Sequence, residues 1–104
     1  MRVRFGKFLG ASAIAAPLVF GSAAMAQEAI KIGVTEPLTG AFAASGNYVV
    51  QGAKIAEDEI NAAGGVLGRK ILLVVEDNKS NPTEAVGTVE KLTQKDKVPV
   101  LMGA

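Results

Sequence analysis

KILLVVE, residues 70–76, is the stretch that decides the fold. Its apolar residues follow one another without polar alternation, which is the pattern of a strand covered on both faces, and such strands belong to parallel sheets flanked by helices. Upstream, residues 30–35 (IKIGVT) are rich in β-branched side chains and stop at Glu36-Pro37, where proline removes a donor and restricts the residue before it. Downstream, residues 98–102 (VPVLM) read as a third strand, with Pro99 tolerable near its beginning.

The segments between these strands are helical. After a loop of small and turn-forming residues, 37–47, a helix is expected from near Gly46 or Asn47. Val49, Ala53, Ala56 and Ile60 fall on one stripe at i, i+4, i+7 and i+11, while Lys54, Glu57, Asp58 and Asn61 lie largely away from it. Gly64 or Gly65 should end this helix, because glycine reaches the left-handed conformation at little steric cost. Gly68 then allows a second tight turn. The next helix has a readable start: Asn81 caps it, Pro82 suits the first position, and Glu84 completes a variant of the capping box. Ala85, Val86, Val89 and Leu92 are its expected buried face, and the charged turn QKDK, 94–97, leads to strand three.

The order βαβαβ with right-handed crossovers puts strand one in the middle of a parallel sheet ordered 2-1-3. The expected fold class is α/β, a three-layer parallel unit. Two helices cannot cover both faces of such a sheet, and a domain this small buries only about 60% of its unfolded surface. A portion of a larger protein is therefore expected.

Composition narrows the function. The chain has 104 residues, 49% of them hydrophobic, with 11 Lys or Arg against 10 Asp or Glu. That near-balance is unlike a nucleic-acid binder, which carries a clustered positive excess. With neither Cys nor His, disulfides, thiolate metal sites and imidazole bases are all closed. Residues 1–26 read as an export leader: Arg2, Arg4 and Lys7 precede an apolar stretch (8–20), and Ala24-Met25-Ala26 offers a small-x-small cleavage site before Gln27. A membrane anchor would need roughly 20 strongly apolar residues, and Gly10, Ser12, Pro17, Gly21 and Ser22 dilute this stretch. Cleavage after Ala26 leaves residues 27–104 as the mature part, with 8 basic and 10 acidic residues and a net charge of −2. A soluble periplasmic protein without direct membrane insertion is the expected product.

Candidate motifs are few. Glu36, Glu76 and Asp77 stand near strand ends, where acids commonly solvate a sheet edge or cap a following turn. Gly40 and Gly46 do not match the G-x-G-x-x-G spacing of a dinucleotide site. The 64–68 glycine segment ends a helix instead of opening one, so it repels anions. Ser45 and Ser80 have no histidine partner and lie in no nucleophile elbow. No cofactor is expected. What remains is the loop after strand one, at the carboxyl end of a central parallel strand, where open α/β sheets bind ligands. Free N–H groups at the start of the following helix would favour a carboxylate or a hydroxyl acceptor, and Phe42 offers an apolar wall.

IKIGV-x-x-PLTG, QGAKIAEDEINAAGGVLGRKI, LVVEDNKSNPTEAV and VPVLMGA, taken in order, resemble the amino-terminal lobe of the periplasmic solute-binding proteins of branched-chain amino-acid ABC transporters. The segment 59–71 is the most specific part. The resemblance implies the type I periplasmic binding fold and a two-lobed receptor, not an enzyme, that closes on a small solute and docks on the transporter's permease subunits. It also implies that most binding groups lie beyond Ala104; Ser45 and Gly46 from the matched loop, with Phe42 from its position after strand one, are the ligand-binding candidates in this stretch. The position before Gly46 often carries a large aromatic in that family. Ser45 leaves more room there or adds a hydrogen bond, which weakens the case for a branched aliphatic ligand and leaves an amino acid or a related small organic solute. Two alternatives share the α/β core: an exported enzyme, or a ligand-sensing domain, with functional residues beyond residue 104.

Overall fold

The computed structural model describes residues 27–104; the export leader read at residues 1–26 lies outside the described residues. Three parallel strands, β1 (Ile30–Glu36), β2 (Ile71–Asp77) and β3 (Val100–Gly103), form one sheet in the order β2-β1-β3, as right-handed crossovers require. Helices α1 (Ala43–Ala62) and α2 (Pro82–Glu90) make the connections. Ile30 stands opposite Ile71 and Glu36 opposite Asp77, while Ile32 to Thr35 pair with Val100 to Gly103.

β3 starts at Val100, two residues later than the sequence pattern suggests. Pro99 has no N–H for the ladder, and the Val98 amide donates instead to the Leu92 carbonyl (3.0 Å), which fixes Val98 as a core residue. α1 starts earlier than expected, at Ala43, so the loop leaving β1 is only residues 37–42. Asn47 drives this, since its Nδ2 donates to the Ala43 carbonyl (2.8 Å) and the Leu38 carbonyl (3.2 Å). Gly46 therefore sits inside the first turns of the helix, buried against Pro37. Any Cβ at that position would collide with the Pro37 carbonyl.

The buried face of α1 is displaced from the expected stripe. Gly46 and Val50 are buried and Ala53, Glu57 and Asn61 half-buried, whereas Val49, Ala56 and Ile60 are exposed. The reason is polar. β2 is an edge strand whose outer N–H and C=O groups lack a strand partner, and such an edge must be satisfied or covered. Asn61 accepts from the Ile71 amide (2.8 Å) and donates to the Ile71 carbonyl (2.9 Å), and Glu57 accepts from the Leu73 amide (2.7 Å). A binary pattern assigns these two polar residues to solvent, whereas here they act as a substitute strand.

Where α1 ends, the Gly64 amide donates to Asn61 (3.1 Å) and the Gly65 amide to Ile60 (2.8 Å), both glycines having positive φ. This is the Schellman arrangement, in agreement with the expected stop. Val66 and Arg69 then pair around Leu67 and Gly68, whose φ values of 52° and 79° fit a tight two-residue hairpin turn.

Asn81 caps α2 as expected, its Oδ1 accepting from Thr83 (2.8 Å) and Glu84 (3.1 Å), with Pro82 in the first turn. The capping box is left half-made, because the Asn81 amide donates to the Asn78 carbonyl (3.0 Å). Val86 and Val89 face solvent; the buried side carries Ala85, Thr88 and Leu92. Thr88 sets this phase: its hydroxyl donates to the Ala85 carbonyl (2.9 Å) and so accepts from Thr35 (2.7 Å) on β1. Leu101, Val98 and Leu92 share the space left by Gly33. The expected charged turn is in part helical, since Lys91–Lys95 form a π-helical turn. It closes on Lys91, which bridges Glu76 (2.9 Å) and Asp96 (2.8 Å).

The described core is small: Val34 and Leu92 are fully buried, with Val50, Ile71 and Val98 around them. Leu72, Val100, Leu101 and Met102 remain exposed on the strands, the uncovered apolar surface that two helices leave. Two substitutions test the helix stop against ordinary helix propensity. Gly65→Ala, which meets the Arg69 carbonyl and holds φ at +83°, should lose about 2 kcal/mol or more of unfolding free energy. Gly52→Ala, with open space around it, should gain about 0.5–1 kcal/mol. Urea denaturation checks both.

Candidate functional site

The site is built at the carboxyl ends of the strands. Asp77 closes β2 and turns its carboxylate onto the loop that leaves β1. Its Oδ1 accepts from the amides of Leu38 (2.8 Å), Thr39 (3.3 Å) and Lys79 (2.7 Å), and its Oδ2 from the Thr39 hydroxyl (2.7 Å). The Thr39 hydroxyl has the largest effect, burial opposes it, and the amides of Leu38, Lys79 and Thr39 add to it, so that the Asp77 pKa falls from 3.8 to about 2. Ser80 adds a second tie between the same loops, donating to the Thr39 carbonyl (2.8 Å) and accepting from the Phe42 amide (3.0 Å).

Asn78 joins the third strand end. It is almost fully buried; its amide donates to the Glu36 carbonyl (3.1 Å), its Nδ2 to the Ala104 carbonyl (2.9 Å), and its Oδ1 accepts from Ser80 (3.1 Å). The Ala104 amide in turn donates to Thr35 (3.2 Å).

Between these loops and the first turn of α2 lies a cavity of about 400 Å³, within the range of small-molecule sites. Pro37, Phe42, Pro82 and Ala85 make its apolar walls, and Glu36, Ser45, Asn78, Ser80 and Asn81 its polar ones. It occupies the crevice beside β1 where the connections depart in opposite directions, the position at which open α/β sheets take ligands.

Of the residues singled out in the sequence, Phe42 and Ser45 line this cavity and Gly46 does not. Phe42 is 64% exposed at the start of α1. The Ser45 hydroxyl donates to the Phe42 carbonyl (3.2 Å), which leaves its oxygen free to accept. Gly46 serves the site indirectly, by letting α1 press on Pro37. The three strand-end acids separate: Asp77 caps a loop, Glu76 pairs with Lys91, and Glu36 is buried in the cavity lining. Glu36, Asn78, Ser80 and Asn81 went unrecognised as site residues. The available signal was topological, because segments that follow parallel neighbours reach the same rim. Among the described residues, the amides of Ala44 and Ser45 at the open end of α1 donate to no protein group.

Residues 29–104 match the model of a family described as periplasmic binding protein. The chain belongs to that family. An "Amino acid binding protein" of Pseudomonas aeruginosa is 39% identical over 90% of this chain and 25% of its own length. "Leu/Ile/Val-binding protein homolog 3" of Brucella melitensis is 42% identical over 83% of the chain and 23% of its own length. Among solved structures of the family, the branched-chain amino acid transporter substrate binding protein LivJ of Streptococcus pneumoniae, in complex with isoleucine, superimposes with a TM-score of 0.72 at 42% identity, covering 73% of this chain and 22% of that one. The chain thus spans about a quarter of the length of the curated family members it matches.

The Asp77 clamp has a pH signature. A carboxyl whose pKa is lowered on folding stabilises the protein fully above its ordinary value of 3.8, and loses that contribution as pH falls towards about 2. Asp77→Asn should lower the urea midpoint at neutral pH and flatten the acid limb of the stability profile between pH 3.8 and about 2. An unchanged acid limb would show that the clamp does not form.

Proposed function

We propose that residues 27–104 are the opening part of the amino-terminal lobe of a solute receptor, exported to the periplasm by a leader cleaved after Ala26, which binds an amino acid or similar small organic solute and delivers it to ABC permease subunits. The observation that carries this reading is the periplasmic binding protein match over residues 29–104 in a chain whose cavity opens at the carboxyl rim of its sheet. The names of its relatives, amino acid and Leu/Ile/Val binding, support the solute class.

The mechanism follows from the rim's openness. Phe42, Ser45 and the strand-end loops furnish one wall only, so a second lobe closing over the solute would complete its burial. Solute binding then stabilises the closed form over the open one by its differential contacts, and the permease reads that closed form. The receptor holds its solute by hydrogen bonds and apolar contact and transforms nothing.

A thermal-shift screen of the full-length receptor against amino acids, amides and aromatic acids tests the reading. At least one member should raise the melting temperature in a concentration-dependent way; a flat response across all three classes would contradict it. Ser45 has a separate test. In the same screen Ser45→Trp, on an exposed site at the start of α1, should change the order of solute preference while the unliganded melting temperature stays within about 2 °C of the parent, since surface changes cost little. An unaltered order would remove Ser45 from the pocket.

A further inference from the structure

We propose that Glu36 is the acceptor for a nitrogen-bearing group of the solute, an ammonium or other N–H donor, and so fixes the receptor's preference for amine-bearing solutes over their oxo analogues. This assignment rests on the receptor reading above and makes it more specific.

Glu36 is only 5% exposed, yet it lines the cavity. An ionised carboxylate has about four acceptor positions, and among the described residues none of Glu36's is filled by a protein donor. Most neighbouring donors are committed elsewhere: Asn78 Nδ2 to Ala104, the Ser80 hydroxyl to Thr39, the Ser45 hydroxyl to Phe42, and the Leu38 and Thr39 amides to Asp77; the uncommitted ones in the lining, Asn81 Nδ2 and the Ser45 amide, make no bond to Glu36. Lys91 is held by Glu76 and Asp96. Burial of a carboxylate with nothing to answer it is unfavourable, and the group is retained where a partner arrives. Glu36 belongs to the lining of the cavity, which is the open approach for such a partner. The other polarity has its own place, since α1 contributes Phe42 and Ser45 to the same lining at the positive end of its dipole. A solute with both a donor nitrogen and an acceptor oxygen matches these two groups.

Calorimetry on the full-length receptor tests this with matched pairs: L-alanine, L-leucine, L-isoleucine and L-glutamate, each beside its 2-oxo acid, titrated into the parent and into Glu36→Gln. At least one amino acid should bind the parent ten-fold or more tighter than its oxo acid, and Glu36→Gln should weaken that amino acid ten-fold or more. The unliganded melting temperature of Glu36→Gln should stay level or rise, because an unanswered buried charge has been removed; a structural role would lower it. Equal binding of both members of every pair, or parental affinity in Glu36→Gln, leaves the receptor standing and overturns the Glu36 assignment. If no compound of either kind binds the parent, the amino-acid reading fails and takes the assignment with it. Should Glu36→Gln not fold, Glu36→Asp, with its carboxylate drawn back by one methylene, is held to the same ten-fold loss.

Discussion

One carboxylate at the end of β2 decides where the loop after β1 can go. Asp77 gathers two amides and a hydroxyl from that loop and one amide from its own. Without it, the Leu38 and Thr39 amides would have to be satisfied by water, and the loop would be tied down by side chains only through Ser80 and Asn47. With it, Phe42 and Ser45 are delivered to one wall of the cavity, Ser80 ties the same loop from the other side, and Asn78 extends the network to the residue after β3. The geometry of the rim is thus a matter of hydrogen-bonded loops on a rigid parallel sheet, which is how many binding sites are built.

The same rule of backbone satisfaction explains what could be read from the sequence and what could not. KILLVVE, the Glu36-Pro37 stop and the double glycine after α1 each carry a local physical signal, so the element order, the 2-1-3 sheet and the helix stop were all legible. The phase of the helices was not. Glu57 and Asn61 serve an unpaired strand edge, and Thr88 answers a hydroxyl on β1; each is a polar side chain turned inward by a partner distant in sequence, which periodicity alone cannot reveal. The start of β3 is set by a different constraint: Pro99 has no N–H for the ladder, and the Val98 amide donates to Leu92 instead of to the sheet.

The site was partly legible. The loop after β1 pointed to the rim that carries the cavity, and Phe42 and Ser45 line that cavity, because the position of the loop follows from topology. Gly46 is needed for close packing against Pro37 and takes no place in the lining. Glu36 and Asp77 look alike in sequence, both acids at the end of an apolar strand, and they meet opposite fates: Asp77 is surrounded by donors while Glu36 has none among the described residues. Only the three-dimensional count of donors separates a structural acid from one left open to a ligand, and a membership in the periplasmic binding protein family gives that openness a meaning.

The central claim is that this rim, held by Asp77 and faced by Glu36, is where the solute binds. Hydrogen–deuterium exchange of the full-length receptor, with and without a saturating amino acid, addresses it most directly. The account predicts slowed amide exchange in residues 37–46 and 78–85 when solute is present. Protection confined to other parts of the receptor, with these two segments unchanged, would contradict it.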